Sequence, residues 1–126
     1  MRESQLLADV IRGLYGAVKL MRANVGMVRT EDGRRFSSGL PKGFPDLFGF
    51  LPPELSRTGY VVPVFIECKV GANKPTPEQV EFLARHKVMG CACGVARSVS
   101  DAWDIVIPYL ADRPDITQGG GEIGKT

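Results

Sequence analysis

Two charged side chains lie inside an apolar segment of the chain, VPVFIECKV, which covers residues 62 to 70. The density of valine, isoleucine and phenylalanine predicts a buried strand, where an unpaired charge would cost several kcal/mol. Because side chains alternate across a strand, Glu67 and Lys69 share one face, about 6.6 Å apart along the backbone, whereas Cys68 faces the opposite layer. The two charges therefore require compensation, either from each other or from a ligand.

A second carboxylate, that of Asp46, stands at the entrance to the short apolar segment Leu47–Leu51, which predicts another strand. If this strand pairs beside the one that carries Glu67, the two carboxylates come close and repel each other unless a proton or a cation joins them. A divalent metal ion would serve, since two carboxylates, a backbone carbonyl and water are the hard oxygen ligands that Mg²⁺ prefers. Lys69 would then border the water that the metal activates, which suits phosphodiester hydrolysis.

Each of these residues also has a simpler interpretation. Glu67 and Lys69 could form a salt bridge on an exposed strand face, where such pairs contribute little. Asp46 could shape a turn after Pro45, and Gln79 could be a solvated residue in the first turn of a helix. Their occurrence together favours a functional site over these separate roles.

The elements that would position these side chains begin with helical and hairpin patterns. Apolar residues recur at helical spacing over residues 3 to 21 and predict a first amphipathic helix. Asp32-Gly33, between two short β-type stretches, predicts a hairpin of two antiparallel strands. The strand that carries Glu67 is predicted over residues 60 to 70, with Pro63 placing its first half at an edge or in an irregular segment.

Three more elements complete the predicted order. Thr76 as N-cap, Pro77 at the first helical position and Glu78 in the first turn predict a helix over residues 76 to 88. Residues 91 to 97 predict a short strand of small side chains, and residues 98 to 110 a final helix closed by Pro108. This order predicts an α/β fold in which helices flank a mixed central β-sheet.

The composition is typical of one globular domain. Of the 126 residues, 44% are apolar and 24% are charged, and no apolar run approaches the roughly 18 residues of a membrane span. The N-terminal residues lack the order of a secretory signal and the three cysteines make no disulfide framework, so we expect a cytoplasmic protein without membrane contact. The net charge of +2 leaves the partner open. We assign residues 1–112 to the domain and the glycine-rich residues 113–126 to a flexible tail.

Taken together, the motifs and their order resemble the VRR-NUC (virus-type replication and repair nuclease) group of the PD-(D/E)XK nucleases. Pro45-Asp46 matches the PD element and Glu67-Cys68-Lys69 the E-X-K element. Further similarities lie in the segment GLPKGFPDLFGF, in Thr76-Pro77-Glu78-Gln79 as a helix-borne glutamine motif, in Arg22-Ala23-Asn24, and in Glu3 of the first helix. The resemblance extends from about residue 3 to residue 110 and implies a restriction-endonuclease-like core.

The resemblance also implies roles for individual residues. Asp46, Glu67 and the Cys68 carbonyl would bind Mg²⁺ or Mn²⁺, and Lys69 would handle the attacking water. Gln79 would orient the site and Glu3 would support a metal ion or its water. The implied activity is that of a DNA endonuclease on branched DNA, including four-way junctions, that acts as a homodimer in a bacterial cell or a phage-infected host.

Two alternative functions remain open from the sequence. The chain could be an inactive DNA-binding or assembly module of the same fold, or a nuclease that acts on single-stranded DNA or RNA, since the same metal chemistry does not select the polymer. Four cations are candidate phosphate contacts and could equally be solvated surface charges: Lys42, Lys74, Arg22 and Arg85. Binding through such contacts would be electrostatic and would weaken with salt.

Overall fold

The computed structural model describes residues 1–24, 27–37 and 39–111. Within this part of the chain the helices are α1 (Glu3–Leu14), α2 (Pro77–Val88) and α3 (Val99–Val106). The strands are β1 (Met21–Arg22), β2 (Met27–Arg29), β3 (Arg35–Ser37), β4 (Leu47–Leu51), β5 (Val62–Cys68) and β6 (Ala92–Ala96). Short 3-10 turns follow β4 at Pro53–Leu55 and α3 at Ile107–Tyr109. The predicted tail, 113–126, lies outside the described residues.

A four-stranded mixed sheet organises the fold, with the strand order β1-β4-β5-β6. β4 is antiparallel to both β1 and β5, whereas β5 is parallel to β6. A parallel pair needs a crossover connection, and α2 supplies it. The hairpin predicted around Asp32-Gly33 is present, because β2 and β3 form a separate antiparallel pair. The prediction of an α/β fold with a mixed sheet and flanking helices is confirmed.

One face of the sheet is closed by α1 and α3 and holds the larger core. Every second residue of β4 and β5 points to this face, as the alternation of side chains in a strand requires. The fully buried members of this core include Leu6, Val10, Leu14, Leu47, Leu51, Val64, Ile66, Ala102 and Val106. The face is apolar throughout its buried part, and Cys68 belongs to it.

The opposite face is covered by α2 and is closed only in part. Leu83 of α2 packs there with Cys91, Cys93 and the rings of Phe65 and Phe82. Beyond the reach of α2 the same face carries Phe50, which is 53% exposed. The end of this face that lies beside the start of α2 carries Glu67.

The bounds of the first helix and of the strand that carries Glu67 differ from those predicted. The first helix ends at Leu14 rather than near residue 21, and Gly13 and Gly16 account for this because glycine is a poor helix former. Val18 and Leu20 lie in the connection after the helix and are also buried. The apolar pattern therefore extends beyond the last helical residue. The short strand β1 that follows was not predicted.

The strand that carries Glu67 is also shorter than predicted. It covers Val62–Cys68, and the chain turns on either side at Gly59 (φ 80°) and Gly71 (φ 58°). Pro63 pairs with Phe50 of β4, whereas pairing with β6 begins only at Val64. Pro63 therefore lies where β5 has one neighbour, and the prediction that this part is at an edge is confirmed. None of the described helices is long and apolar enough to cross a membrane.

Candidate active site

Asp46 and Glu67 lie opposite each other just beyond the last pair of the β4–β5 ladder, Leu47 with Ile66. The Asp46 backbone N–H donates to Glu67 Oε1 at 3.1 Å. In return, the Cys68 backbone N–H donates to Asp46 Oδ2 at 2.9 Å. The predicted pairing of the two strands is confirmed, and these reciprocal hydrogen bonds hold the two carboxyl groups side by side.

Glu67 is buried, with 1% of its side chain exposed, and its second oxygen also accepts hydrogen bonds. Gln79 Nε2 donates to Glu67 Oε2 at 2.9 Å. Lys69 Nζ lies 3.2 Å from the same oxygen, and its side chain is 14% exposed. Lys69 and Glu67 therefore share one face of the strand, and the ammonium group lies between the buried carboxylate and solvent.

The environment of Glu67 disfavours its ionised form. Burial raises the pKa of Glu67 from 4.5 to about 7, and the charge of Asp46 and a hydrogen bond with its carboxyl group act in the same direction. Lys69 opposes this rise through its hydrogen bond and its charge. Two neighbouring carboxylates with one ammonium group leave negative charge that a proton or a cation can neutralise.

Gln79 reaches Glu67 from the first turn of α2, whose start has the predicted form. Thr76 is the N-cap and Pro77 the first helical residue. Gln79 N–H donates to Thr76 Oγ1 at 3.1 Å, and Thr76 N–H donates to Gln79 Oε1 at 2.8 Å. This reciprocal capping box fixes both the backbone and the side chain of Gln79.

A cavity of about 620 Å³ opens beside the two carboxyl groups. Its lining residues are Ala23, Asn24, Lys42, Gly43, Phe44, Asp46, Thr76 and Gln79. The Ala23 N–H donates to the Asp46 carbonyl oxygen at 2.8 Å, which ties the wall after β1 to the site. Of the two carboxyl groups, the half-buried Asp46 lines the cavity, so a ligand in the cavity would meet Asp46 first.

The wall opposite Ala23 requires glycine at position 43. Gly43 has φ 93°, a conformation that other residues adopt at a cost. A Cβ atom at this position would lie 2.6 Å from the carbonyl oxygen of Glu78 in the first turn of α2. The loop that leads to Asp46 and the helix that carries Gln79 therefore touch backbone to backbone.

Three other residues predicted for the site make no described hydrogen bond or ion pair with the two carboxyl groups. Glu3 lies at the start of α1; the pKa of the Cys68 thiol is raised mainly by burial, then by the charges of Asp46 and Glu67, and least by that of Glu3. Lys42 lines the cavity and its Nζ lies 3.7 Å from a Glu78 carboxylate oxygen. Arg22 is exposed on β1, where it pairs with Leu47 at the residue beside Asp46.

Lys74 and Arg85 are not part of the carboxylate cluster. Lys74 is exposed in the loop between β5 and α2. Arg85 forms an exposed ion pair with Glu81 at 2.9 Å on the outer side of α2. Arg85 lines a second, smaller cavity of about 300 Å³ together with His86 and Lys42, and Lys42 also lines the first.

Two contributors to the site were not predicted for this role. Thr76 positions Gln79 as well as capping the helix, and the Thr-x-x-Gln spacing of a capping box is a sequence feature that could have indicated it. Phe44 packs edge-on against Phe48, Phe65 and Phe82, with ring centroids 5.2 to 5.8 Å apart. No local sequence feature indicates that the Phe44 ring would pack the loop before Asp46 against α2.

The donors present suit a hard divalent cation, although they are few. Asp46 and Glu67 offer carboxylate oxygens, and Cys68 offers its backbone carbonyl. The Cys68 thiol faces the apolar core, and burial raises its pKa to about 12, so the sulfur stays protonated. Among residues 1–24, 27–37 and 39–111, no three His, Cys, Asp or Glu side chains come together as a metal-binding group. Water and substrate oxygens would have to complete the coordination of a cation here.

No family model, curated protein or solved structure matches the chain.

Proposed function

We propose that this protein is a metal-dependent endonuclease of the PD-(D/E)XK type that hydrolyses phosphodiester bonds in DNA. The observation that supports this most directly is the pairing of Asp46 with the buried Glu67, because Lys69 and Gln79 both contact one oxygen of Glu67. A buried carboxyl group beside a half-buried one costs stability unless a cation or proton joins them. A binding function is a physical reason for such an arrangement.

Asp46, Glu67 and the Cys68 carbonyl are the groups that would hold Mg²⁺ or Mn²⁺. When bound, such a cation lowers the pKa of a water molecule and stabilises negative charge on a phosphate. The chain itself keeps the carboxylates in place through the two reciprocal backbone hydrogen bonds. Gln79 fixes the Oε2 side of Glu67, so that the carboxylate enters the reaction already oriented.

Lys69 has a different task from the carboxylates. Its ammonium group lies 3.2 Å from Glu67 Oε2, and the side chain is 14% exposed. It can donate a hydrogen bond to the attacking water or to a phosphate oxygen, and so place the nucleophile and offset developing charge. Loss of this group would lower the rate of cleavage more than the affinity for the cation.

Exposed basic residues near the cavity and the resemblance to the VRR-NUC group together suggest the kind of nucleic acid that would bind. Lys42 lines the cavity, Arg22 precedes the lining residue Ala23, and both are exposed, which suits contacts with phosphate groups. The resemblance to the VRR-NUC group favours branched DNA as the substrate and a homodimer as the active form. A two-fold dimer would present two such sites to two symmetrically placed strands. The same resemblance favours the cytoplasm of a bacterial cell, or of a phage-infected one, as the place of action.

A cleavage panel tests this proposal. Linear, flapped, forked and four-way DNA would be incubated with the protein in Mg²⁺, Mn²⁺ or EDTA, at two salt concentrations. We expect metal-dependent cleavage, greatest on branched DNA, that disappears in the Lys69→Ala variant. Lys87→Ala is the matched control, because it makes the same change in the last turn of α2, away from the carboxylates. Absence of cleavage of any DNA at enzyme excess would contradict the proposal.

Two alternative functions are compatible with the same residues. The small number of metal-binding side chains in the described residues is compatible with an inactive DNA-binding module. That module would bind DNA with a steep salt dependence and would show no metal-dependent cleavage. A nuclease for single-stranded DNA or RNA would use the same residues, and labelled single strands in the same panel would identify it.

A further inference from the structure

We propose that Thr76 is a positioning residue for Glu67 and acts through the side-chain amide of Gln79. The inference rests on the proposed function, in which Glu67 holds the cation. Thr76 touches neither carboxylate, and its role as a helix cap would ordinarily account for it. The hydrogen bonds around Gln79 show why its effect extends further.

The amide of Gln79 has one end that accepts and one that donates hydrogen bonds. Its Oε1 accepts from the Thr76 backbone N–H at 2.8 Å. Its Nε2 donates to Glu67 Oε2 at 2.9 Å. The oxygen is therefore held toward Thr76 and only the nitrogen can face the carboxylate, so the network leaves a single choice for the orientation of the amide.

Thr76 also fixes the backbone from which this side chain extends. Its Oγ1 accepts from the Gln79 N–H at 3.1 Å, so one residue contacts both ends of Gln79. A free glutamine side chain populates several rotamers, and ordering it costs up to about 2 kcal/mol. The capping box meets this cost when the protein folds, and Gln79 presents its N–H group to Glu67 without further ordering.

The consequence for Glu67 is a defined direction for ligand binding. A carboxylate has about four lone-pair directions. Gln79 and Lys69 occupy the two on Oε2, and the Asp46 N–H occupies one on Oε1. The remaining direction belongs to Oε1, the oxygen next to Asp46, where either a proton shared with the Asp46 carboxyl group or a cation would lie. Without the Gln79 donor, Oε2 would be partly free and the carboxylate could turn away from Asp46.

The main test compares two helix caps. Thr76→Ala keeps the backbone N–H that binds Gln79 Oε1 but removes the Oγ1 that holds the Gln79 N–H and fixes the N-cap geometry of α2. Ser98→Ala removes the equivalent cap of α3, where Ser98 Oγ accepts from the Asp101 N–H at 3.0 Å. Mn²⁺ affinity would be measured by calorimetry, and unfolding in EDTA would be followed by circular dichroism. We expect both variants to lose stability, but only Thr76→Ala to bind Mn²⁺ about tenfold more weakly, the lower end of the effect of lost outer contacts at metal sites. Thr76→Ser should restore the wild-type affinity.

A double-mutant cycle tests the route through Gln79. If Thr76 acts through that side chain, Thr76→Ala should have no further effect on Mn²⁺ affinity in a Gln79→Ala background. An equal loss in both backgrounds would overturn the inference. So would an unchanged affinity in Thr76→Ala, or an equal loss in Ser98→Ala, and in each case Mn²⁺ binding by the wild type would leave the proposed function standing.

A measurement without metal separates the two proposals. In the metal-free protein, the side-chain NH₂ protons of Gln79 should exchange slowly with water and have resolved NMR shifts, which Thr76→Ala should move toward those of a solvated glutamine. If the wild-type shifts already match a solvated glutamine, the positioning inference is wrong. If they are resolved and Mn²⁺ fails to bind, the positioning stands and the proposed metal site fails.

Discussion

The two faces of the sheet bury different kinds of residue. The face under α1 and α3 is filled by aliphatic side chains that are almost fully buried, such as Val64 and Ile66. The face under α2 carries aromatic rings, thiols and, at one end, the buried Glu67. Ile66 and Glu67 are neighbours in sequence and face opposite ways, so one strand serves both a core and a candidate site.

This difference shows how a small domain can bury a carboxylate without losing its core. The stability of the fold comes mainly from the aliphatic face, where burial of each side chain contributes roughly 1.5 to 3 kcal/mol. The α2 face can then hold Glu67, whose own environment disfavours its charge. We expect substitutions on the two faces to separate stability from activity, and four predictions follow that division.

The largest effect is expected for Glu67→Gln. The variant keeps the size of the side chain but loses the negative charge that would hold the cation, so cleavage of the best DNA substrate should fall at least about a thousandfold, at the upper end for loss of a group that stabilises transition-state charge. Steady-state cleavage in Mg²⁺ measures this loss, with circular dichroism as the check on folding. A folded variant that retains more than a tenth of the wild-type rate would contradict the assignment of Glu67.

The neighbouring substitution, Ile66→Ala, should have the opposite profile. Ile66 is 0% exposed in the aliphatic core, and truncation of such a side chain typically lowers the free energy of unfolding by about 2 to 5 kcal/mol. At a temperature where the variant remains folded, its Mn²⁺ affinity should stay within about twofold of wild type, since the backbone hydrogen bonds around Asp46 are retained. Urea unfolding and calorimetry measure the two quantities. Equal losses of stability and affinity would show that the two faces are not separable.

Stability should also depend on pH through Glu67 when no metal is bound. Its pKa is raised from 4.5 to about 7 in the folded protein, so the folded state binds the proton more tightly than the unfolded state does. The contribution of this group is fully present below pH 4.5 and is lost as the pH rises through about 7, with a total of roughly 3 kcal/mol at most. Urea unfolding in EDTA, wild type against Glu67→Gln, isolates the effect from other carboxylates. If the difference in the free energy of unfolding between wild type and Glu67→Gln stays constant from pH 4.5 to about 7, Glu67 does not cause the pH dependence.

The smallest effect is expected for Arg85→Ala. Arg85 pairs with Glu81 on the outer side of α2, and both side chains are about two-thirds exposed, at 66% and 68%. Exposed pairs of this kind contribute little, so the free energy of unfolding should change by less than about 0.5 kcal/mol. Chemical denaturation provides the measurement. A decrease in the free energy of unfolding above about 1 kcal/mol would show that the exposed Arg85–Glu81 pair stabilises the fold.

Local chemistry explains which parts of the fold could be predicted. The start of α2 follows from Thr76, Pro77 and the spacing to Gln79, because capping depends on a few adjacent residues. The end of α1 was misplaced because Val18, in the connection after the helix, is buried and continues the apolar spacing. The two-residue strand β1 is too short to leave a pattern, and pairing with β4 alone defines it.

The site was predictable in its residue types and less so in its contacts. Glu67 and Lys69 are conspicuous inside an apolar strand, and pairing of β4 with β5 brings Asp46 beside Glu67 as expected. The sequence gives no indication that the backbone N–H of each strand would bind the other strand's carboxylate. These contacts depend on the register of two strands, which only the three-dimensional structure specifies.

The missing side chain at Gly43 sets the width of the entrance to the carboxylates. The backbone at Gly43 approaches Glu78 closely. The loop before Asp46 and the first turn of α2 are therefore held together at this point. Any larger residue at position 43 would push this loop and the first turn of α2 apart. The absence of a Cβ atom at this one position therefore keeps the residue before Phe44 in contact with the helix that carries Gln79.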